Sequence, residues 1–313
     1  MKEYAFGIDL GGTTAKIGLF TTAGALLEKW EVPTDTSNAG EHILENLAAA
    51  IMGKMQEKAI PAEQVEGVGI GVPGPVLDSS VVPIVCANLG GWGQRNVAAQ
   101  LSGLLDGLKV LVGNDANVAA LGEIWMGAAK GCRSAVMVTL GTGVGGGIVA
   151  DGRLLEGVGG TGAEVGHTVL VLDGEDCTCG RKGCWEAYAS ATALIRQGKR
   201  AAAAQPESLL AGYGEGLTGK DVFDAAAAGD AAAQAVVDRY CVYVAAGITD
   251  LVNILGPEKV LIGGGISRQG ERLLAPIRAY VAANCFGGHD RTPPVIECAR
   301  LGNEAGIIGA AAL

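Results

Sequence analysis

Two similar stretches, Tyr4–Thr21 (YAFGIDLGGTTAKIGLFT) and Ala135–Ala150 (AVMVTLGTGVGGGIVA), decide the fold of this chain. Each stretch is an apolar run typical of a strand, then a turn of glycine and threonine, then a second apolar run. Glycine lets a backbone approach a phosphate closely, and threonine adds a hydroxyl. A single such turn would be read as an ordinary β-hairpin. Two of them, about 130 residues apart, suggest a duplicated domain with a nucleotide between its halves.

A third glycine cluster, Gly263–Gly265, ends a predicted strand and favours phosphate binding over ordinary hairpins. Elsewhere, strands alternate with segments of helical apolar spacing, which predicts an α/β fold. The predicted strands are Tyr4–Leu10, Ala15–Thr21, Leu26–Val32, Val65–Val72, Lys109–Gly113, Ser134–Leu140, Gly145–Ala150, Lys259–Gly263 and Pro294–Cys298. The predicted helices are Ala39–Lys58, Ala116–Met126, Asp230–Leu255, Gln269–Asn284 and Glu304–Ala312.

Length and composition indicate a globular protein of about two domains. Of the 313 residues, 49 % are hydrophobic and 18 % are charged, enough to bury a sizeable core. The formal net charge of -10 argues against nucleic acid as a partner, because binding a phosphate backbone needs a basic face. A nucleotide stays compatible, since backbone N–H groups can hold phosphate. We find no signal peptide and no long apolar run, so we expect a cytoplasmic protein with no membrane partner.

Four potential metal ligands lie close together in the sequence: His167, Cys177, Cys179 and Cys184. Three thiolates and one imidazole form a closed tetrahedral ligand set for a structural zinc ion. A disulfide among the three cysteines is the alternative, but three cysteines with a nearby histidine fit a metal better. The remaining cysteines are scattered and are expected to be buried thiols: Cys86, Cys132, Cys241, Cys285 and Cys298.

In these motifs the chain resembles the ROK family of sugar kinases, within the hexokinase–actin–Hsp70 fold group, over essentially its whole length. The motifs occur in family order: Asp9-x-Gly11-Gly12-Thr13, Asn114-Asp115-Ala-Asn117, Leu140-Gly-Thr-Gly143, Glu164-x-Gly166-His167, Cys177-x-Cys179-Gly-x-x-Gly183-Cys184-x-Glu186 and Ile262-Gly-Gly-Gly265. The histidine and cysteine motifs are very specific, whereas the glycine turns alone would be weak.

The resemblance implies a two-domain actin-like ATPase fold of the ribonuclease H-like type, with duplicated phosphate-binding hairpins and a zinc-containing loop. It places a small α/β domain at residues 1–115, completed by the C-terminal helix at 301–313. A large α/β domain at 116–300 would carry the zinc loop. A homodimer would match the habit of the family.

The resemblance also implies a site for ATP and Mg²⁺. Asp9 would hold Mg²⁺ directly or through water, because this ion prefers one or two carboxylates and retains waters. The implied nucleotide contacts are Gly11, Gly12, Thr13, Thr14 and Lys16 in the first hairpin, Thr142 and Gly143 in the second, and Gly264 and Gly265 on the adenosine side. Lys16 fits an ordinary solvated strand residue equally well.

Asp115 is the implied general base, which would accept the proton of the attacking sugar hydroxyl. An Asn–Asp pair before a helix is also a good N-cap, and both roles are compatible if Asn114 caps the helix. The implied sugar-binding residues are Asn88, Asn114, Asp115, Glu164, His167 and Glu186. Asn88 could instead stabilise a turn, and Glu186 could be an exposed residue that begins a helix. Ala163 stands where the family commonly has glycine. If that position needs a positive φ, alanine costs roughly 1 kcal/mol, unless Gly162 takes up the turn.

These implications converge on ATP-dependent phosphorylation of a hexose at its 6-hydroxyl, with glucose as the expected substrate. The alternatives within this class are kinases for N-acetylmannosamine, N-acetylglucosamine, fructose or allose, and polyphosphate is an alternative donor. Other classes are a sugar-sensing regulator without turnover and a zinc-stabilised scaffold. Family repressors carry a DNA-binding segment before the first phosphate motif. Here Asp9 lies eight residues from the start, so we expect an enzyme.

Overall fold

The computed structural model describes residues 2–290 and 292–313. They form two compact units, and the chain crosses between the units several times. The first unit contains residues up to 131, 153–163 and 300–313, and the second contains 132–152 and 164–299. The first unit therefore includes the whole helix that follows Asn114. The functional domain limits expected from the sequence, at residues 115 and 300, stay a proposal.

The first unit is built on a five-stranded sheet with helices on its faces. Its elements are β1 (Tyr4–Leu10), β2 (Thr14–Thr21), β3 (Leu26–Pro33), α1 (Ile43–Glu57), β4 (Val65–Val72), β5 (Val81–Cys86), β6 (Trp92–Asn96), α2 (Val97–Leu104), β7 (Val110–Asn114), α3 (Asp115–Trp125) and, at the end of the chain, α9 (Ala305–Ala311). The strand order is β3-β2-β1-β4-β7. β1, β2 and β3 form an antiparallel meander, and β4 and β7 continue the sheet parallel to β1.

The second unit repeats this topology. Its elements are β8 (Ala135–Leu140), β9 (Val144–Ala150), α4 (Glu186–Ala189), α5 (Ala191–Ala204), α6 (Gly219–Ala227), α7 (Ala231–Leu255), β11 (Lys259–Gly263), α8 (Glu271–Asn284) and β12 (Val295–Cys298). The short strand β10 (Arg153–Leu154), which follows β9 in the sequence, falls in the first unit. β8 and β9 form an antiparallel hairpin, and β11 joins β8 in parallel as β4 joins β1. β12 then pairs with β11. The duplication expected from the sequence is therefore present in the strand order.

Helix α9 lies directly on the backbone of the first sheet. A Cβ on Gly7 would come within 1.9 Å of the Ile307 carbonyl oxygen, and one on Gly69 within 1.7 Å of the Ala310 oxygen. Gly7 and Gly69 are neighbours in the β1–β4 register, so together they form a flat seat for the helix. The opposite face of β1 packs into the main core, where Phe6 and Ile8 are fully buried.

Glu123 anchors the segment that leads into α9. Its side chain is fully buried, and its Oε1 accepts the backbone N–H of Leu301 at 2.7 Å. Its Oε2 accepts the N–H of Ala128 at 2.8 Å. A Cβ on Gly127 would lie 2.1 Å from Oε2, so only glycine leaves room for the carboxylate. One carboxylate thus joins the end of α3 to the C-terminal segment.

The structure corrects some of the predicted elements. The helix predicted from Ala39 begins at Ile43, because Asn38 and Ala39 have φ angles of 48° and 56°, in the left-handed region. The β5–β6 hairpin and helices α2, α5 and α6 were not predicted; β5, β6 and α2 are short, whereas α5 and α6 are amphipathic helices that the sequence analysis missed. Within the described ranges, no helix has the length and apolar character needed to cross a membrane.

Replacing Glu123 by glutamine should lower the free energy of unfolding by about 1–3 kcal/mol, because the amide NH₂ would leave one buried N–H donor unpaired. Denaturant unfolding measures this. Glu207→Gln, at an exposed glutamate, is the matched control and should change stability by less than about 0.5 kcal/mol. Equal small effects in both variants would contradict the anchoring role of Glu123.

Candidate functional site

The first glycine–threonine turn joins β1 to β2 and is held by Thr34. The Thr34 hydroxyl donates to the Gly11 carbonyl oxygen at 2.8 Å, and the Thr34 N–H donates to the Thr13 oxygen at 2.9 Å. Among the described residues, none accepts a hydrogen bond from the N–H of Gly12 or Thr13. The turn therefore points two carbonyls into the protein and keeps two backbone donors available for an anion.

Asn88 lies beside this turn. A Cβ on Gly12 would come within 2.6 Å of the Asn88 carbonyl oxygen, so this close approach requires glycine. Asn88 sits in the short helical turn Ala87–Leu89 and is exposed. Its side chain makes no hydrogen bond within the described part of the chain, which leaves the amide available to a ligand rather than committed to the turn.

Asp9 is the last residue but one of β1 and pairs in register with Lys16 of β2. Lys16 Nζ lies 3.8 Å from Asp9 Oδ2. Burial raises the pKa of Asp9 above its ordinary value, and the Lys16 ammonium opposes this rise without cancelling it. Lys16 therefore has Asp9 as an electrostatic partner.

Asn114 is the N-cap of α3. Its Oδ1 accepts the N–H groups of Ala116 and Asn117 at 3.0 and 3.1 Å, and its Nδ2 donates to the Gly74 oxygen at 3.1 Å. The cap predicted for Asn114 or Asp115 is thus made chiefly by Asn114. Because two N–H groups already occupy the amide oxygen, only Nδ2 retains a hydrogen for a further partner.

Asp115 follows as the first residue of α3, and its Oδ1 accepts the N–H of Ala116 at 2.8 Å. Surrounding protein raises the pKa of the Asp115 carboxyl, although part of the side chain reaches solvent. The N–H of Ala116 opposes this rise, and the negative charge of Asp9 adds to it. A divalent cation at Asp9 would relieve the repulsion, and Mg²⁺ favours carboxylate oxygens.

The second turn, in the other unit, is held in the same way. The N–H of Ala191 donates to the Gly141 carbonyl oxygen at 2.8 Å, and the Thr192 hydroxyl donates to the Thr142 oxygen at 2.9 Å. No described residue accepts a hydrogen bond from the N–H of Thr142 or Gly143. Each unit therefore presents one turn with fixed carbonyls and two unpaired backbone donors.

The third glycine cluster lies against the end of β8. Gly264 has a φ of 83°, and a Cβ there would lie 2.4 Å from the Leu140 carbonyl oxygen. Gly265 faces open space, since a Cβ there would meet no atom within 4 Å. This brings the predicted adenosine-side turn next to the second phosphate turn within one unit.

The four predicted metal ligands converge. One ligand atom from each of His167, Cys177, Cys179 and Cys184 lies within 4.8 Å of all the others. The sulfurs of Cys179 and Cys184 are 3.7 Å apart, close to the ~3.8 Å that two sulfurs on a tetrahedral zinc would show at ~2.3 Å per bond. All eight cysteines are free, so the three of this cluster are present as thiols. Outside the cluster, Cys86, Cys241 and Cys285 are buried as expected, but Cys132 and Cys298 are partly exposed.

The ligand chemistry of this cluster suits a metal. His167 Nδ1 lies 3.6 Å from Cys177 Sγ, so Nδ1 faces the sulfurs and Nε2 is left for another partner. The N–H of Arg181 lowers the pKa of the Cys179 thiol, whereas burial raises that of Cys184 to about 12. Metal binding would displace these protons.

Glu186 lies between the cluster and the second turn. Its Oε1 accepts the Thr178 hydroxyl at 3.1 Å, and its Oε2 accepts the Val144 N–H at 3.0 Å. It begins α4, as the alternative interpretation expected, but it is half-buried and fully engaged rather than exposed. Glu164 is exposed, and its carbonyl oxygen accepts the N–H of His167 at 3.1 Å. The preceding Ala163 has a φ of 61°, so alanine itself takes the positive φ.

Within each unit, the structure therefore gathers most of the residues predicted for the site. Sequence reasoning missed the three threonines that brace them: Thr34, Thr178 and Thr192. Thr34 and Thr192 lie outside the quoted motifs, and Thr178 is the variable position of Cys177-x-Cys179, so their contacts could be found only from the path of the chain.

The sequence profile of the ROK family matches residues 5–313. The chain belongs to the ROK family. It is 42 % identical to a glucokinase of Halalkalibacterium halodurans, over 97 % of this chain and 92 % of that one. It is 38 % identical to a glucokinase of Thermotoga maritima, over 100 % and 97 % of the two chains. An N-acetylmannosamine kinase of Escherichia coli O157:H7 is less similar, at 33 % identity over 98 % and 96 %.

Solved structures share the fold. The ROK hexokinase of Thermus thermophilus superposes with a TM-score of 0.82 at 34 % identity, covering 98 % of this chain and 96 % of that one. A ROK glucokinase of Streptomyces griseus, solved with glucose and AMPPNP, gives a TM-score of 0.76 at 36 % identity, covering 99 % and 98 %. The two-domain, actin-like α/β fold expected from the resemblance is confirmed.

Asp115→Asn should stabilise the fold at neutral pH. The pKa of Asp115 is raised in the folded chain, so ionising the carboxyl costs stability as the pH rises from the ordinary value of 3.8 through the folded-state pKa. The gain in Tm should shrink as the pH falls towards 3.8, and Asp250→Asn, at an exposed aspartate, should show no such trend. The measurement is thermal unfolding as a function of pH. An Asp115→Asn variant whose Tm at neutral pH did not exceed that of the wild type would contradict this prediction.

Proposed function

We propose that this protein is an ATP-dependent sugar kinase that transfers the γ-phosphoryl group of ATP to the 6-hydroxyl of glucose. The observation that carries the proposal is the first-unit arrangement of Asp115, with its raised pKa, close to Asp9 and to a turn with two unpaired backbone donors. The glucokinases among the relatives favour glucose over other hexoses.

Binding of the phosphates would rest on backbone donors rather than on many cations. The N–H groups of Gly12, Thr13, Thr142 and Gly143 are unpaired within the described chain and would face the β- and γ-phosphates. The remaining proposed contacts of the nucleotide are Gly11, Thr14, Lys16, Gly264 and Gly265. Phosphoryl transfer needs little covalent help and depends mainly on positioning and charge neutralisation, which this set supplies.

Proton transfer would fall to Asp115. A base contributes most when its pKa lies near the working pH, and burial moves Asp115 in that direction. A positioned base typically contributes a factor of ~10²–10⁴ in rate. Asp9 would hold Mg²⁺, which when bound neutralises charge on the phosphates.

The side chains proposed for sugar recognition are Asn88, Asn114, Asp115, Glu164, His167 and Glu186. Asn114 would contribute only through Nδ2, because its oxygen caps α3. A carboxylate accepts two hydroxyls at once, which suits a vicinal diol. We propose a structural zinc ion on His167, Cys177, Cys179 and Cys184, which would fix the imidazole through Nδ1 and leave Nε2 for a sugar hydroxyl.

Other substrates and classes are separate outcomes of the same assay. A kinase for N-acetylmannosamine, N-acetylglucosamine, fructose or allose would keep the chemistry and change the sugar contacts, and polyphosphate could replace ATP. A sugar-sensing regulator would bind sugar without turnover. We further propose a homodimer, with functional domains at 1–115 plus 301–313 and at 116–300.

Asp115→Asn should lower kcat on glucose by a factor of about 10² or more, because the amide cannot accept the hydroxyl proton. A coupled ADP-release assay with Mg-ATP, run on hexoses and N-acetylhexosamines, measures this. Asp250→Asn is the matched control and should retain wild-type turnover.

Turnover on another sugar, equally lost in Asp115→Asn, would keep the mechanism and change the substrate. Sugar binding by calorimetry without turnover on any sugar would overturn the kinase proposal and favour the regulator. If Asp115→Asn turned over like the wild type, Asp115 would not be the base.

Metal analysis should find about one zinc ion per chain, because one closed four-ligand set is present in the described residues. Cys179→Ser should lose the metal, since serine is a poor zinc ligand. Cys132→Ser, which lies outside the cluster, is the matched control and should keep it. Equal zinc content in both variants would contradict the assignment.

A further inference from the structure

The second phosphate turn, Leu140–Val144, is held by the segment that follows the metal cluster. Three contacts reach it from Glu186–Thr192: the Glu186 carboxylate on the Val144 N–H, the Ala191 N–H on the Gly141 oxygen, and the Thr192 hydroxyl on the Thr142 oxygen. A Cβ on Gly143 would lie 2.1 Å from Glu186 Oε2, so the carboxylate presses directly on the turn.

The same carboxylate is tied to the cluster. Glu186 Oε1 accepts the Thr178 hydroxyl at 3.1 Å, and Cys177 Sγ lies 3.7 Å from that oxygen. The N–H of Trp185, between the ligand Cys184 and Glu186, donates to the Thr168 oxygen at 2.8 Å. Glu186 thus accepts a hydrogen bond from Thr178 of the cysteine cluster with one oxygen and from Val144 of the second turn with the other.

We propose that Glu186 and Thr192 are positioning residues for the phosphoryl donor, through which the metal cluster sets the affinity of the second turn for phosphate. This inference rests on the proposed kinase function and deepens it. Fixing the carbonyls of Gly141 and Thr142 inward keeps the N–H groups of Thr142 and Gly143 outward. If a carbonyl loses its donor, the peptide group can rotate and the N–H turns away from the phosphate.

The geometry also indicates what a metal bound at this cluster would contribute. A short loop with exposed residues such as Thr178 would otherwise let the Glu186 carboxylate move. A bound metal would restrain the loop on either side of Thr178, because Cys177 and Cys179 would both ligate it. A metal at the cluster would therefore restrain the second phosphate turn, through Glu186, as well as the imidazole of His167.

The first test measures the Kd of Mg-AMPPNP by calorimetry without sugar, so that turnover plays no part. Thr192→Val should weaken binding by about five- to tenfold, as expected for one lost hydrogen bond, and Thr192→Ser should restore it. Thr249→Val is the matched control, because it removes a threonine-to-carbonyl bond of 2.8 Å within α7 and should leave Kd unchanged. Equal Kd values for Thr192→Val and the wild type would overturn the positioning role.

The second test removes the metal with a zinc-selective chelator and then restores Mg²⁺. Wild-type Kd for Mg-AMPPNP should weaken about tenfold, whereas in Glu186→Gln, already weakened, chelation should add little. Chelation should also accelerate amide hydrogen exchange of the 141–144 segment, because the Val144 N–H would lose the Glu186 carboxylate as its acceptor. Chelation that abolishes sugar binding but leaves nucleotide Kd and exchange unchanged would overturn the coupling.

The two tests separate this inference from the proposed function. If the wild-type protein bound no nucleotide, the kinase proposal would fail. Hydrogen exchange would then still decide the coupling, because faster exchange at 141–144 after chelation would support it and unchanged exchange would overturn it.

Discussion

Two tight turns can bind phosphate only if their peptide groups stay fixed, with carbonyls inward and N–H groups outward, and much of the structure serves this constraint. Thr34 holds the first turn, and Thr192 with Ala191 holds the second. In each unit a threonine hydroxyl and a backbone N–H take the carbonyls. The shared topology of the two sheets explains the parallel, because each turn joins the first two strands of its sheet.

The C-terminal helix serves the same end of the first sheet. α9 rests on Gly7 and Gly69, and at its first turn a Cβ on Gly306 would lie 2.7 Å from Asp9 Cγ. The helix therefore lies directly against the Asp9 carboxylate, and Gly306 leaves the room that this carboxylate needs. Glu123 fixes the entry to this helix through the Leu301 N–H. A residue far along the chain thus helps to place a carboxylate near its start, and the C-terminal segment packs as part of the first unit.

Sequence reasoning predicted the repeating parts of this fold and the residues that carry their own chemical signature. The strands Tyr4–Leu10, Val65–Val72 and Lys259–Gly263 have the predicted bounds, because long apolar runs between glycine turns leave little choice. The cysteines and His167 converge because their spacing and chemistry already specify a tetrahedral set. Thr34 and Thr192 could not be found, since a threonine that braces a distant turn looks like any other threonine. Ala163 shows the remaining limit: its positive φ depends on the surrounding chain, and the sequence alone left Gly162 as an equal candidate.

The charges of the first unit argue for a ligand rather than for a scaffold. Asp9 and Asp115 both have raised pKa values, mainly through desolvation, and the negative charge of Asp9 adds to the rise at Asp115, so keeping both carboxylates ionised costs folding stability. A scaffold would gain by replacing either with a neutral residue. Next to them, the turn leaves the N–H groups of Gly12 and Thr13 without an acceptor among the described residues. Negative carboxylates and positive N–H dipoles side by side suit a ligand that brings both a cation and an anion, and a metal-bound nucleotide phosphate is such a ligand.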